Sequence, residues 1–176
     1  WADHPEKVLG TTNAFAKRHP NTARAMVMAL LEAARYIDQP ENRSEVARLI
    51  SAEAYVNAPL SVIEDRFLGK YADGLGKTWD EPNTMRFYNE GRTPFPYLSD
   101  GMWFLTQHKR WGLLKAHPDY LAIARQINQI ELYTQAATQT GTPLPESDMR
   151  TSCLMDGTVW DGRNPVEYAD SFEIKA

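Results

Sequence analysis

The stretch Asn21-Thr22-Ala23-Arg24-Ala25-Met26-Val27-Met28-Ala29-Leu30-Leu31-Glu32-Ala33-Ala34-Arg35-Tyr36-Ile37-Asp38 decides what kind of fold this chain builds. Ala23, Met26, Val27, Leu30, Ala34 and Ile37 recur at spacings of three and four, while Arg24, Glu32 and Arg35 fall on other faces. That period predicts an amphipathic helix with one buried face. It stops at Asp38-Gln39-Pro40, because the residue before a proline avoids helical geometry.

Helical signals continue on both sides. Upstream, Thr11 or Thr12 caps a short helix that runs to Lys17 and stops before Pro20. Downstream, Asn42 and Glu45 have the spacing of a reciprocal cap, with Val46, Leu49 and Ile50 as the inner face. A further helix follows Asn57-Ala58-Pro59, with Leu60, Ile63 and Phe67 as its core stripe and Gly69 as its stop. Residues 70–98 change character: Gly74, Gly76, Pro82, Gly91, Pro94 and Pro96 interrupt any period. Within them, Thr84–Asn89 is either a short strand or a helical turn. An irregular stretch this long is either functional or packed against something the chain alone does not supply.

Helix resumes with Ser99 as its N-cap, running towards Gly112. It resumes again from His117-Pro118 through Ile127, and either continues or breaks before a last segment that ends at Thr140-Gly141. The tail, 142–176, is extended and turn-rich. Strands at 151–155 and 158–160 flank the Asp156-Gly157 turn, and a short helix spans Pro165 to Phe172. The fold class expected is mostly α with a few short strands, built as a single unit over 1–176.

Composition narrows the function. A chain of 176 residues with 43% hydrophobic and 24% charged residues has enough apolar mass for a core. With 19 Lys+Arg against 23 Asp+Glu, its net charge of −4 argues against a nucleic-acid partner. The longest apolar run, Ala25 to Leu31, is too short to span a bilayer. The single Cys153 excludes an internal disulfide and a multi-Cys zinc site. A start at Trp1 without a basic-then-apolar leader suggests a processed or partial chain.

No catalytic constellation is visible, so no enzyme, metal or cofactor is expected. His4, His19, His108 and His117 lack the spacing that puts two ligands on one helix face. Glu64-Asp65 point to different faces of a helix, and Asp156 and Asp161 are read as turn formers rather than cation ligands. Cys153 has no base nearby in sequence to activate it. Phe95, Tyr97, Trp103, Phe104 and Trp111 form an unusual aromatic cluster. The favoured reading is a satellite core under the long loop. The sharper one makes Phe95, Tyr97, Trp103 and Trp111 a contact with a partner or a second lobe. Lys7, Lys17, Arg18, Arg24 and Arg92 are each suited to an anion, without one standing out.

The order of segments resembles a known family. The blocks are His4-Pro5-Glu6-Lys7-Val8-Leu9-Gly10, Pro20-Asn21-Thr22-Ala23-Arg24-Ala25 and Tyr71-Ala72-Asp73-Gly74-Leu75-Gly76. Then come Phe95-Pro96-Tyr97-Leu98-Ser99-Asp100-Gly101-Met102-Trp103-Phe104-Leu105-Thr106, followed by Arg110-Trp111-Gly112. The last are Asp156-Gly157-Thr158-Val159-Trp160-Asp161-Gly162 and Tyr168-Ala169-Asp170-Ser171-Phe172. Together they resemble the C-terminal part of the nitrate/bicarbonate-binding proteins of ABC importers.

The resemblance implies the C-terminal portion of a two-lobed α/β, type II periplasmic-binding-protein fold. The implied ligand is a small oxyanion: nitrate, nitrite or bicarbonate. Its main contacts are expected upstream of Trp1, with Lys7 the one ligand-binding candidate within the chain. Implied partners are the permease and ATPase subunits, on the periplasmic side of the inner membrane, with any membrane tether in parts outside this sequence. The alternative is a cytoplasmic nitrate-sensing or regulatory domain that acts through protein contacts. Exposed apolar surface should gather where the rest of such a fold would pack.

Overall fold

The computed structural model describes residues 4–172. Thr12 caps α1 (Asn13–Arg18), its hydroxyl accepting from the Phe15 N–H at 3.2 Å. Pro20 opens α2 (Pro20–Asp38), where its missing N–H costs nothing. A single 3-10 turn, Pro40–Asn42, leads into α3 (Arg43–Ser51), and α4 follows (Leu60–Phe67). Next come β1 (Lys70–Ala72) and β2 (Thr78–Asp80), then α5 (Leu98–Arg110), α6 (Tyr120–Ile127) and α7 (Ile130–Thr140). The described chain closes with β3 (Ser152–Cys153), β4 (Val159–Trp160) and α8 (Pro165–Asp170). The strands form two separate antiparallel pairs, with Tyr71 opposite Trp79 and Ser152 opposite Trp160. The fold is therefore mostly α with a few short strands, as the sequence predicts.

Helix α2 lies against α7, and its buried line is Ala23, Leu31 and Ala34 with Val27 half-buried. Met26 and Leu30, expected inside, are 45% and 40% exposed. The helix is apolar on more than one side, so its period alone does not choose a face. Ala136 and Ala137 on α7 leave room for Leu31, and that fit sets the rotation. In α3 the expected reciprocal cap is absent. The preceding 3-10 turn puts Asn42 in helical geometry, and its side chain donates instead to Tyr36 O at 2.9 Å. Glu45 accepts from the Tyr36 hydroxyl at 2.9 Å. Val46 and Ile50 pack against the core as expected, beside the buried Arg43 and Ala47, while Leu49 is exposed. Ile63 and Phe67 on α4 are buried as predicted, in a cluster with Ala47.

The stretch 70–98 contains a hairpin that periodicity does not reveal, since each strand has only three residues. Asp73 builds its turn: one carboxylate oxygen accepts the N–H groups of Leu75 and Lys77 at 2.8 and 3.1 Å. Thr84–Asn89 is neither strand nor helix. Its backbone is satisfied from outside. Asp38 accepts the N–H groups of Phe87, Tyr88 and Asn89 at 2.7, 2.9 and 2.9 Å. Arg43 donates to Phe67 O at 2.7 Å, Thr84 Oγ1 at 3.0 Å and Met85 O at 3.1 Å. The two side chains meet at 3.7 Å. Gly69, at φ +75°, is required where this segment passes α4. A Cβ there would sit 2.8 Å from Glu81 O.

Two further helix starts differ from expectation. Tyr97, not Ser99, is the N-cap of α5. Ser99 lies in the first turn, buried, and its hydroxyl accepts from the Arg150 N–H at 3.0 Å. Helix α6 is capped by Asp119, which accepts from the Ala122 N–H at 3.0 Å, so it begins after His117-Pro118. Asp38→Ala would leave three loop N–H groups without their acceptor and the Arg43 guanidinium without its paired carboxylate. The expected cost is about 3 kcal/mol in urea unfolding, and a loss below about 1 kcal/mol would show that water replaces the carboxylate.

Candidate functional site

The residues singled out from sequence do not converge. Lys7 is exposed on the extended segment before α1, paired with Glu6. The four contact aromatics separate. Phe95 and Tyr97 are buried with Leu31 and Tyr133, Phe95 meeting the Tyr97 ring edge-on at 4.7 Å and the Tyr133 ring at 5.2 Å. Trp103 packs on a second cluster and donates to the Tyr168 hydroxyl at 3.0 Å. Trp111 is 56% exposed, with Arg110 over its ring. Phe95 and Tyr97 are thus taken up by the chain's own core. Of the four, Trp111 is the one that presents a large free surface to a partner.

Cys153 is exposed. Asp156 accepts from the Thr158 N–H at 2.9 Å, which holds its carboxyl below the usual range, and Asp161 accepts from Arg163 N at 2.9 Å. Both carboxylates shape turns. Among the described residues no group of three or more His, Cys, Asp or Glu is placed to hold a metal.

Two of the open concavities among the described residues carry charged side chains. The first, about 600 Å³, lies between α4 and the β1–β2 hairpin and includes Asp65, Arg66, Tyr71 and Trp79. Arg66 is already engaged there, donating to Lys70 O at 2.9 Å and lying over the Tyr71 ring. The second, about 500 Å³, lies between Tyr97 and the tail and includes Arg92, Glu146 and Arg150. In its wall Arg150 Nε sits 2.9 Å from Asp100 Oδ1. Burial pushes the Asp100 carboxyl up against the opposing pull of Arg150. The mixture of charges in both gives neither a converged set of donors for an anion.

Besides the Asp38–Arg43 and Asp100–Arg150 pairs, sequence reasoning missed a third side-chain cluster. His117 Nδ1 lies 2.8 Å from the Tyr120 hydroxyl and Nε2 3.1 Å from Asp170. The link spans α6 and α8, and no sequence spacing announces it.

The largest unsatisfied feature is apolar. Ala25, Met26, Ala29, Leu30, Ala33 and Tyr36 form a continuous exposed line on α2, opposite the side that packs on α7. On the extended segment nearby in sequence, Val8 is 84% and Leu9 50% exposed. A helix apolar on two sides is the mark of an element sandwiched between layers.

These features define a segment of a larger layered fold, in which α2 is built to be covered on both sides. The profile of the NMT1-like family matches residues 1–51. The nitrate/nitrite binding protein NrtA of Synechocystis is 35% identical over all of this chain and 41% of its own length. The bicarbonate-binding protein CmpA of Synechococcus elongatus is 29% identical over 99% of the chain and 42% of its length. The nitrate import ATP-binding protein NrtC of Synechocystis is 30% identical over 99% of the chain and 26% of its length. The crystal structure of the periplasmic nitrate-binding protein NrtA from Synechocystis superposes with a TM-score of 0.92, covering 99% of this chain and 46% of that one. The resemblance to the nitrate/bicarbonate-binding proteins therefore holds along the whole chain, which spans less than half the length of these relatives.

The Asp100–Arg150 pair is directly testable. Arg150→Met strands a buried carboxylate, at a cost of about 3 kcal/mol near neutral pH. The folded carboxyl then holds its proton more tightly than the unfolded chain does. The penalty should shrink as pH falls towards about 4, and a penalty independent of pH would mean that packing, not charge, is lost.

Proposed function

We propose that this chain is the C-terminal portion of a periplasmic solute-binding protein that captures a small oxyanion for an ABC importer, and that it is not an enzyme. The observation that carries the reading is the 35% identity and 0.92 TM-score to a nitrate-binding protein over essentially the whole chain. The uncovered side of α2 and the unpaired segment with Val8 and Leu9 support it, because both need a layer that these residues do not provide.

Nitrate and bicarbonate are planar with three oxygens. Nitrate only accepts hydrogen bonds, while bicarbonate also donates one through its hydroxyl. A site with one carboxylate acceptor favours bicarbonate, because a buried group left unpaired costs about 1–3 kcal/mol, up to about a hundredfold in affinity. In a two-lobed protein the ligand sits between lobes, and hinge closure reports its capture to the permease and ATPase. Lys7, exposed and close to the segment that needs a covering layer, is the residue here proposed to face that ligand.

The similarity to NrtC, a nitrate import ATP-binding protein, supports a second reading. In it the same fold is a regulatory domain acting through protein contacts in the cytoplasm. An export signal on the longer protein separates the two.

Isothermal titration of a protein of the relatives' length containing this chain should show saturable binding of nitrate, nitrite or bicarbonate. The 176-residue chain alone should show none. Silence from the longer protein towards all three would overturn the reading. Met26→Asp with Leu30→Asp should change the chain's own stability by less than about 1 kcal/mol, while costing the longer protein several times more. Equal effects in both would place the uncovered face of α2 in solvent.

A further inference from the structure

We infer that the C-terminal tip of α5 is a contact site for an anionic lipid surface. Between Asp100 and Asp119 the chain has no acidic residue, yet it carries Lys109, Arg110 and Lys115 with His108 and His117. This is a local reversal of sign in a chain of net charge −4. The helix end gathers these residues. Gly112, at φ +72°, turns the backbone, and the N–H groups of Leu113 and Leu114 both donate to His108 O at 2.9 and 3.1 Å. Residues 111–114 therefore wrap over the end of the helix. Trp111 and Leu113, the latter 71% exposed, stand at this tip, and Phe104 lies two turns back on the Trp111 side. A Cβ built on Gly112 meets nothing within 4 Å, so the space beside the turn is open.

The cations divide by what already holds them. Arg110 lies over the Trp111 and Phe172 rings and donates to Gln107 Oε1. His117 is engaged with Tyr120 and Asp170. Among the described residues none pairs with Lys109 or Lys115, which can meet an outside anion. An exposed indole beside an aliphatic side chain, with a lysine on either side in sequence, is the chemistry of a membrane interface. The ring settles at headgroup depth, and the lysine stems reach along it to keep their ammonium groups among lipid phosphates. So few anchoring groups give a weak, reversible contact. The inference does not depend on the oxyanion reading.

The test is sedimentation of the 176-residue chain with vesicles of pure phosphatidylcholine or of a mixture rich in phosphatidylglycerol. Binding should require the anionic lipid and fall as salt is raised. Lys109→Glu with Lys115→Glu, and separately Trp111→Ser with Leu113→Ser, should each reduce it by about fivefold or more. Met26→Ser with Leu30→Ser, on the uncovered side of α2, should change it little. Circular dichroism checks that each variant folds; should a double variant fail, Lys115→Gln alone and the salt series carry the test. Equal binding to neutral vesicles, no binding at all, or loss only in the α2 variant would each overturn the inference. So would tip variants that leave vesicle binding intact while abolishing capture by an acidic protein partner.

Discussion

A carboxylate at an unfavourable place holds this structure together. Asp38 is the last residue of α2, where the helix's own carbonyls repel an anion. It is nearly buried there, with 13% of its side chain exposed. Three backbone N–H groups from residues 87–89 and the Arg43 guanidinium offset that cost. Arg43 is equally dependent: it is buried and donates to three acceptors that lie at the end of α4 and in residues 84–85. A charge removed from water is tolerated only where it is paired and hydrogen-bonded, so each of the two requires the other.

From this node the remaining order propagates along the chain. Residues 84–97 have no ladder of their own, and their path is fixed by α2. Arg35, one turn before Asp38, donates to the Tyr88 hydroxyl, Thr140 O and Thr142 Oγ1, tying the same loop to the end of α7. Tyr133 donates to Gly91 O at 2.8 Å, and burial pushes the pKa of its hydroxyl up, so it remains a donor. Gly91 must be glycine, because a Cβ would come within 2.6 Å of Pro143 O. These contacts deliver Phe95 and Tyr97 to the α2–α7 core. Asn128 then fixes Tyr97 O at 2.8 Å, and Trp160 donates to Ser99 O at 2.8 Å, which brings in the tail.

This explains what was legible in the sequence and what was not. Helices α1, α2, α4 and α7 and the stops at Gly69 and Gly141 rest on local signals, and they formed as read. The Asn42–Glu45 cap failed because a 3-10 turn ahead of it, invisible to spacing, rotated Asn42 into helical geometry. Ser99 looked like an N-cap because its residue type suits one; its hydroxyl was claimed by Arg150, fifty-one positions away. The rotation of α2 depended on two alanines in α7. The resemblance to the nitrate/bicarbonate-binding proteins was readable from ordered motifs, whereas a binding site was not. The cations and aromatics that suggested one are spread over separate cores, turns and surfaces.

The two uncovered apolar surfaces differ in a way that bears on their partners. No charged residue falls among Ala25, Met26, Ala29, Leu30 and Ala33, and the three alanines allow close approach. Such a line can be buried completely at no electrostatic cost, which suits permanent packing within one folded protein. The α5 tip has lysines beside its apolar residues. Burying it fully would strip water from those ammonium groups at a cost that one indole and one leucine cannot offset. It is therefore suited to a surface that leaves the charges wet, and the two faces cannot exchange roles.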